Sequence, residues 1–375
     1  MIEAAGLQRG FPPATDGHIA VNNLESACQQ SWSRFWRAPE QPGVAELIVE
    51  QEQLVAQFLG DVNALERLEA LVNQLDRVGD EPMRTALIHA QVASMEHRFA
   101  EARDLLAHAK SLGAPRTAAE RLSFSINQAC GTRLEDVLAA RRRMAESRRL
   151  EDLVPLGALL ADLREFDEAD WIYQRALLEY RDVWPFAPAW VCFQLGVLWG
   201  ELIAEPQLSR AAQWYRKAIE YLPNYVKARV HLAETYLDWG RPGDAEALLI
   251  PTLSSGDPEV HWRLADVLTA MGKDAEAEAQ IQTARSRFED LLRKHLLAFA
   301  DHGAEFYAGS GNDAARALDL ARVNVENRPT LRAYEQAYSI AAGAGDERVA
   351  CEILGAATER WAKTAGFRRS PLASA

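Results

Sequence analysis

The residues best equipped for chemistry in this 375-residue chain lie toward its C-terminal end. His295 and His302 stand seven positions apart in KHLLAFADHGAEF, with Asp301 and Glu305 beside them. Imidazoles and carboxylates are the donors of zinc and related sites, and positions i, i+3 and i+7 share one helix face. On one continuous helix, however, two turns hold the two rings roughly 10 Å apart at the backbone, too far for one ion. His295 and His302 are therefore the metal candidates, and each would need donors from elsewhere. His231 and His261 would meet only if neighbouring elements brought them together. Gly309-Ser310-Gly311-Asn312-Asp313-Ala314 fits a loose dinucleotide-loop pattern, but helical sequence precedes it, so it reads as a turn. Arg141, Arg142, Arg143, Arg148 and Arg149 are interleaved with Glu135, Asp136, Glu146, Glu151 and Asp152, which reads as an ion-paired solvent face. Phosphate-binding loops, nucleophile elbows and zinc-protease motifs are absent from the sequence. The reading is a non-enzymatic protein with no catalytic residue and no cofactor.

Composition narrows the partner. The formal charge is −13, and an acidic surface repels phosphate backbones, so nucleic acid is not expected as a partner. No run approaches the roughly 18 apolar residues that would span a membrane, and the N-terminal sequence lacks the basic and apolar regions of a secretory leader. Cys28, Cys130, Cys192 and Cys351 are too widely separated for zinc or redox spacing, so they read as idle thiols. A cytoplasmic location is the expectation.

The elements that must position these residues are helices nearly throughout. Apolar residues recur at spacings of three and four, as in LVAQFLGDVNALERLEALVNQL, and strand-like alternation is missing. Leu195-Gly196 and Leu232-Ala233 are each followed after three residues by an aromatic (Trp199, Tyr236), then a turn, then a small residue on the next helix (Ala211, Ala245). Tracking that small residue gives Ala64, Ala102, Val137, Ala169, Ala211, Ala245, Ala277, Ala317 and Ala350, spaced 32 to 42 residues apart. Small residues at helix crossings let backbones approach, and a helical hairpin that cannot bury both faces must stack on another.

With that period and those residues the chain resembles the tetratricopeptide repeat (TPR) family over roughly residues 45–360. Leu156, Gly157, Phe166, Ala169, Tyr173 and Ala176 carry the pattern in one repeat, and Leu195, Gly196, Ala211, Tyr215, Ala218 and Pro223 in the next. The resemblance implies an all-α fold, a right-handed superhelix of eight to nine stacked hairpins. The sequence then divides into a disordered arm (1–20), a capping helix (21–44), the repeats (45–360) and a frayed tail (361–375).

The resemblance also implies that the first helix of each repeat lines a concave groove. Counting from the repeat leucines, groove positions fall on Trp190, Phe193 and Glu201, then Lys227, Glu234 and Asp238, then Trp262 and Asp266. Positions that in the family clamp a peptide carboxylate with cations here carry Val230, Glu234, Trp262 and Asp266, which disfavours a chaperone-tail role. The expected partner is a protein or peptide whose segment is basic and apolar, held by aromatic anchors within an acidic surround. Two alternatives remain open, a peptide-responsive regulator and a metal-binding protein using the C-terminal histidines.

Overall fold

A computed structural model describes residues 11–79 and 81–375, among which there are twenty α-helices and no strand. Helix α1 (Gly17–Arg37) precedes nine hairpins. These pair α2 (Val44–Leu59) with α3 (Ala64–Val78), α4 (Pro82–Met95) with α5 (Phe99–Ser111), and α6 (Arg116–Ala129) with α7 (Leu134–Met144). Next come α8 (Leu150–Asp162) with α9 (Phe166–Glu179), α10 (Phe186–Val197) with α11 (Leu208–Tyr221), and α12 (Val226–Asp238) with α13 (Pro242–Leu249). The last are α14 (Pro258–Ala270) with α15 (Asp274–Lys294), α16 (Leu296–Ala308) with α17 (Ala314–Asn327), and α18 (Leu331–Gly343) with α19 (Glu347–Trp361). A short α20 (Ala365–Arg368) follows.

Every marker residue lies on the second helix of a hairpin and is buried, the most accessible being Ala350 at 6%. The repeat glycines have an equally direct reason. Tyr215 of α11 lies flat against Gly196 of α10, where an added Cβ would stand 2.3 Å from its ring; Tyr173 packs on Gly157 in the same way. The long spacing after Ala169 comes from a π-helical turn, Leu198–Leu202, that extends α10 before the loop.

The hairpins do more than stack on their sequence neighbours. Gly60, between α2 and α3, lies against Val226 and Asp257. His97, between α4 and α5, accepts a hydrogen bond at its carbonyl from Asn327 Nδ2 (2.9 Å), and its ring Nδ1 lies 3.3 Å from the Leu297 carbonyl. Gly131, between α6 and α7, sits under the Trp361 ring. Arg164, between α8 and α9, pairs with Glu335 of α18, and its carbonyl accepts from Arg369 Nη1 (2.6 Å). Each first-turn hairpin loop thus meets chain roughly 200 residues further on, so at about 36 residues per hairpin the solenoid closes one turn in five to six hairpins. The second superhelical turn rests on the first.

This seam explains which residues occupy the loops. All four loop positions are left-handed, with φ of +65° at Gly60, +57° at His97, +60° at Gly131 and +61° at Arg164. A side chain in that region costs about 1 kcal/mol, and glycine avoids the cost. Gly240, Gly272 and Gly345 hold the equivalent loops of later hairpins, and their Cβ positions face open space. His97 and Arg164 keep side chains because both reach across the seam.

Both chain ends differ from expectation. Residues 1–10 lie outside the described residues. Residues 11–20 are not a disordered arm: the Pro12 carbonyl accepts from Tyr221 Oη (2.8 Å), Thr15 N donates to the Val183 carbonyl (2.7 Å), and Asp16 caps α1. The helix expected at 21–44 accordingly spans Gly17–Arg37. The tail is docked rather than frayed, with Phe367 and Leu372 buried, Ser370 donating to Glu335, and Arg369 paired with Glu165. Apolar residues spaced too sparsely to show a period hold both ends. No helix among the described residues is long and apolar enough to cross a membrane.

Two glycine-to-alanine substitutions test the seam. Gly240→Ala should cost only the left-handed penalty of about 1 kcal/mol. Gly131→Ala adds a Cβ 2.9 Å from the Trp361 ring and should cost a further 1–3 kcal/mol or so, measured by urea unfolding. Equal costs would mean that Gly131 and Trp361 are not in contact.

Candidate functional site

Residues three and four apart on the first helices of successive hairpins point to the superhelix interior, and there they join into one electrostatic network. Glu201 Oε1, in the turn after α10, accepts from Tyr215 Oη and from His231 Nδ1 of α12, both at 2.6 Å. One helical turn along α12, Glu234 pairs with Arg263 Nη2 of α14 at 2.5 Å. Arg263 also faces Asp266 (3.4 Å) and lies over the Trp262 ring, 3.6 Å from its centroid. Further along, Glu259 of α14 pairs with His302 of α16, and Asp301 pairs with Arg328 at the end of α17. Gln336 of α18 donates to Glu305 and to the Asp301 carbonyl, both at 3.0 Å. On the first-turn side, Gln128 of α6 donates to Asp162 of α8 at 2.6 Å.

Arg332 of α18 closes the ring of charge from the opposite side. Burial opposes its charge, yet the carboxylates of Glu201, Glu305, Asp301 and Asp162 outweigh that and raise its pKa. Its side chain is nevertheless exposed and has no ion pair within 4 Å among the described residues. A group accessible to water yet surrounded by carboxylates from several hairpins faces the interior space of the superhelix. Glu234, Arg263 and Asp301 are also reached by water while feeling strong burial. We call this space the lumen.

The lumen sets protonation states. Burial would lower the His231 pKa, but Glu201 beside it dominates and raises it to about 9. Burial likewise opposes the charge of Glu201, and His231 overcomes it, holding the carboxyl at about 2. His302 is raised to about 10 against its own burial by Glu259 and Asp301. His97, at the seam, goes the other way: burial and then Arg328 lower it to about 4. At neutral pH, His231 and His302 are therefore cations that bridge successive inner helices. Even so, carboxylates remain in excess. Asp162, Glu201, Glu234, Asp257, Glu259, Asp266, Asp301 and Glu305 outnumber Lys227, Arg141, Arg263, Arg328 and Arg332 together with both histidines by one.

The sequence-derived groove divides cleanly. Glu201, Glu234 and Asp266 take part in the network, and Lys227 interacts with Asp257 and Glu259 without a direct ion pair among the described residues. Asp238 is exposed at the end of α12, away from these contacts. The aromatic anchors need correcting. Trp262 is 4% exposed, packed on Phe288 and Phe306, with Nε1 donating to Ser310 Oγ (3.2 Å). Phe193 is equally enclosed, between Tyr215, Tyr225 and His231, and Trp190 is half-buried beside Tyr173. Phe193 and Trp262 are core, because their positions point toward the neighbouring hairpin rather than the axis. The acidic surround is also not bare: Arg263, Arg328 and Arg332, absent from the sequence-derived set, supply cations. Arg263 follows Trp262 directly, but Arg332 lies 131 residues from Glu201, and no local pattern connects them.

His295 and His302 do not share a helix. The chain breaks at His295, which caps both the end of α15 and the start of α16. His302 joins the lumen through Glu259, whereas His295 faces Glu69 and Glu96 at the seam. The Gly309–Ala314 segment is the turn between α16 and α17, where the Ser310 hydroxyl links Trp262 to Asp266. In the arginine run, Arg142 pairs with Glu168, while Arg141 is buried.

No protein-family model and no curated protein matches the chain. Similar solved structures include a thermophilic TPR protein of Thermus thermophilus, at 18% identity over 50% of this chain and 97% of that one, with a TM-score of 0.36. A TPR protein of Parabacteroides merdae matches at 17% identity over 78% of this chain and 99% of that one, with a TM-score of 0.36. A human IFIT1 dimer solved with PPP-AAAA matches at 17% identity over 79% and 72%, with a TM-score of 0.40. The fold itself rests on the nine hairpins: the chain is a TPR-like helical solenoid.

The His231–Glu201 pair gives a pH signature. The histidine is raised from 6.5 to about 9 on folding, so its stabilisation is complete below pH 6.5 and lost as pH rises through 9. The glutamate is lowered from 4.5 to about 2, so its contribution is present above pH 4.5 and lost toward 2. Urea unfolding of wild type and His231→Gln should differ most between pH 4.5 and 6.5 and converge above pH 9. A difference that does not change with pH would exclude a charged pair.

Proposed function

We propose that the protein is a non-enzymatic adaptor that takes an extended, basic polypeptide segment into the lumen. The observation that carries this reading is the pair of carboxylates around Arg332 that make no ion pair within 4 Å among the described residues. Asp162 and Glu305 are each held there only by an amide side chain, Gln128 and Gln336 respectively. Asp162 is reached by water, and the surrounding protein raises its pKa in spite of Gln128, Arg332, Arg141 and Arg328, so a lysine or arginine brought by a partner would add the close cation it lacks. Arg332, meanwhile, offers guanidinium donors free of any ion pair among the described residues, which suit the carbonyls of an extended main chain. The apolar contribution expected of Phe193 and Trp262 drops out, since both are enclosed. The carboxylate excess likewise argues against a phosphate-bearing ligand.

The test is a set of extended peptides of equal length, with alternating Lys, with alternating Glu, or uncharged, titrated against the full chain by calorimetry. The Lys peptide should bind, and more weakly as salt rises. Asp162→Asn/Glu305→Gln should weaken it about tenfold or more, the scale of a lost close charge pair. Equal binding of the Glu peptide, or binding unaffected by the double substitution, would exclude this mode of recognition.

A further inference from the structure

His295 belongs to a second cluster, outside the lumen. It stands where α15 ends and α16 begins, is 7% exposed, and turns Nδ1 toward two carboxylates of the first superhelical turn. Glu96 Oε1, at the loop between α4 and α5, lies 3.7 Å away, and Glu69 Oε1 of α3 lies 3.9 Å away. One donor atom from each of the three residues lies within 4.8 Å of the other two.

These distances are too long for hydrogen bonds, so the His295 ring satisfies neither carboxylate. Glu96 is 2% exposed; Arg98 holds its other oxygen at 2.5 Å, but Oε1, the atom turned toward His295, has no hydrogen-bond partner among the described residues. A buried carboxylate oxygen left without a partner is costly. Lys294, next along the chain, does not fill the gap, because its ammonium is taken by Glu66 and Asp290.

We propose that Glu69, Glu96 and His295 bind one divalent transition-metal ion, which staples the second superhelical turn to the first. Zinc–nitrogen and zinc–oxygen bonds of about 2.0–2.2 Å in a tetrahedral arrangement place donors roughly 3.3–3.6 Å apart. The two separations from His295 need to shorten only by tenths of an ångström. The side chain of Glu69, 46% exposed, is free to close the remaining gap and gives the ion a way in from solvent. One imidazole and two carboxylates suit zinc, manganese or ferrous iron, whereas calcium and magnesium prefer oxygen-only shells. A dication balances both carboxylates. It also gives Glu96 Oε1, buried and without a hydrogen-bond partner among the described residues, a cation to face. This inference is independent of the lumen: peptide binding and ion binding use different residues.

The experiment uses the full chain, stripped with chelator and then titrated with Zn2+ by competition and with Co2+ by absorption spectroscopy. One ion per chain is expected, with visible Co2+ bands and an increase in the thermal unfolding midpoint on Zn2+ addition. Glu69→Gln, at a half-exposed position, leaves the fold intact and should weaken Zn2+ binding about tenfold or more, and His295→Gln should abolish the Co2+ bands. Far-ultraviolet circular dichroism verifies that both variants keep their helix content. Substoichiometric metal in the wild type, or binding unchanged in both variants, overturns the assignment.

Discussion

The contact between successive superhelical turns is the constraint on which the interior depends. A solenoid wound more openly would leave its inner helices lining an open groove, where Glu201, Glu234 and Asp301 would be solvated and their pairings worth little. Closing the turn in five to six hairpins brings α18 across from α8 and α10. Arg332 and Gln336 then face the same interior space as Asp162 and Glu201. The same closure converts solvated charges into interdependent ones. Removing one partner from such a network leaves the others desolvated, which costs about 3–5 kcal/mol where burial is complete and less where water still enters.

Closure has a local cost, borne at the loops. His97 and Arg164 occupy left-handed backbone where glycine would be easier, and both use their side chains across the seam. Loops that face solvent revert to glycine at 240, 272 and 345. The tail contributes in the same place: Ser370 and Arg164 share Glu335, and Arg369 reaches both Glu165 and the Arg164 carbonyl. The seam is thus built from backbone conformation, ion pairs and a docked terminus together, rather than from one apolar patch.

Much of this architecture is legible in the sequence because hairpin packing is a local, periodic problem. A small residue recurring at about 36-residue intervals identified all nine second helices, and a spacing of three and four placed Glu201, Glu234 and Asp266 on the inner face. The aromatic positions failed for a physical reason. Helical spacing assigns a face, but whether that face meets solvent or the next hairpin depends on the stacking angle, and Phe193 and Trp262 meet the next hairpin. Trp171 on α9 shows the opposite case, 51% exposed with Arg175 over its ring. The number of hairpins per turn was not legible at all. It sums small rotations over many interfaces, so contacts such as Arg164 with Glu335, and the meeting of His295 with Glu69 and Glu96, leave no periodic trace.

The most direct measurement of turn-on-turn closure is zero-length carbodiimide crosslinking of the dilute chain, read by peptide mass spectrometry. Lys294 Nζ lies 2.6 Å from Glu66 of the first turn and 2.9 Å from Asp290 one helical turn away on its own helix. A closed superhelix yields both the Lys294–Glu66 and the Lys294–Asp290 links within one chain. Recovery of the Asp290 link without the Glu66 link would show that the turns do not touch, and would contradict the enclosed lumen.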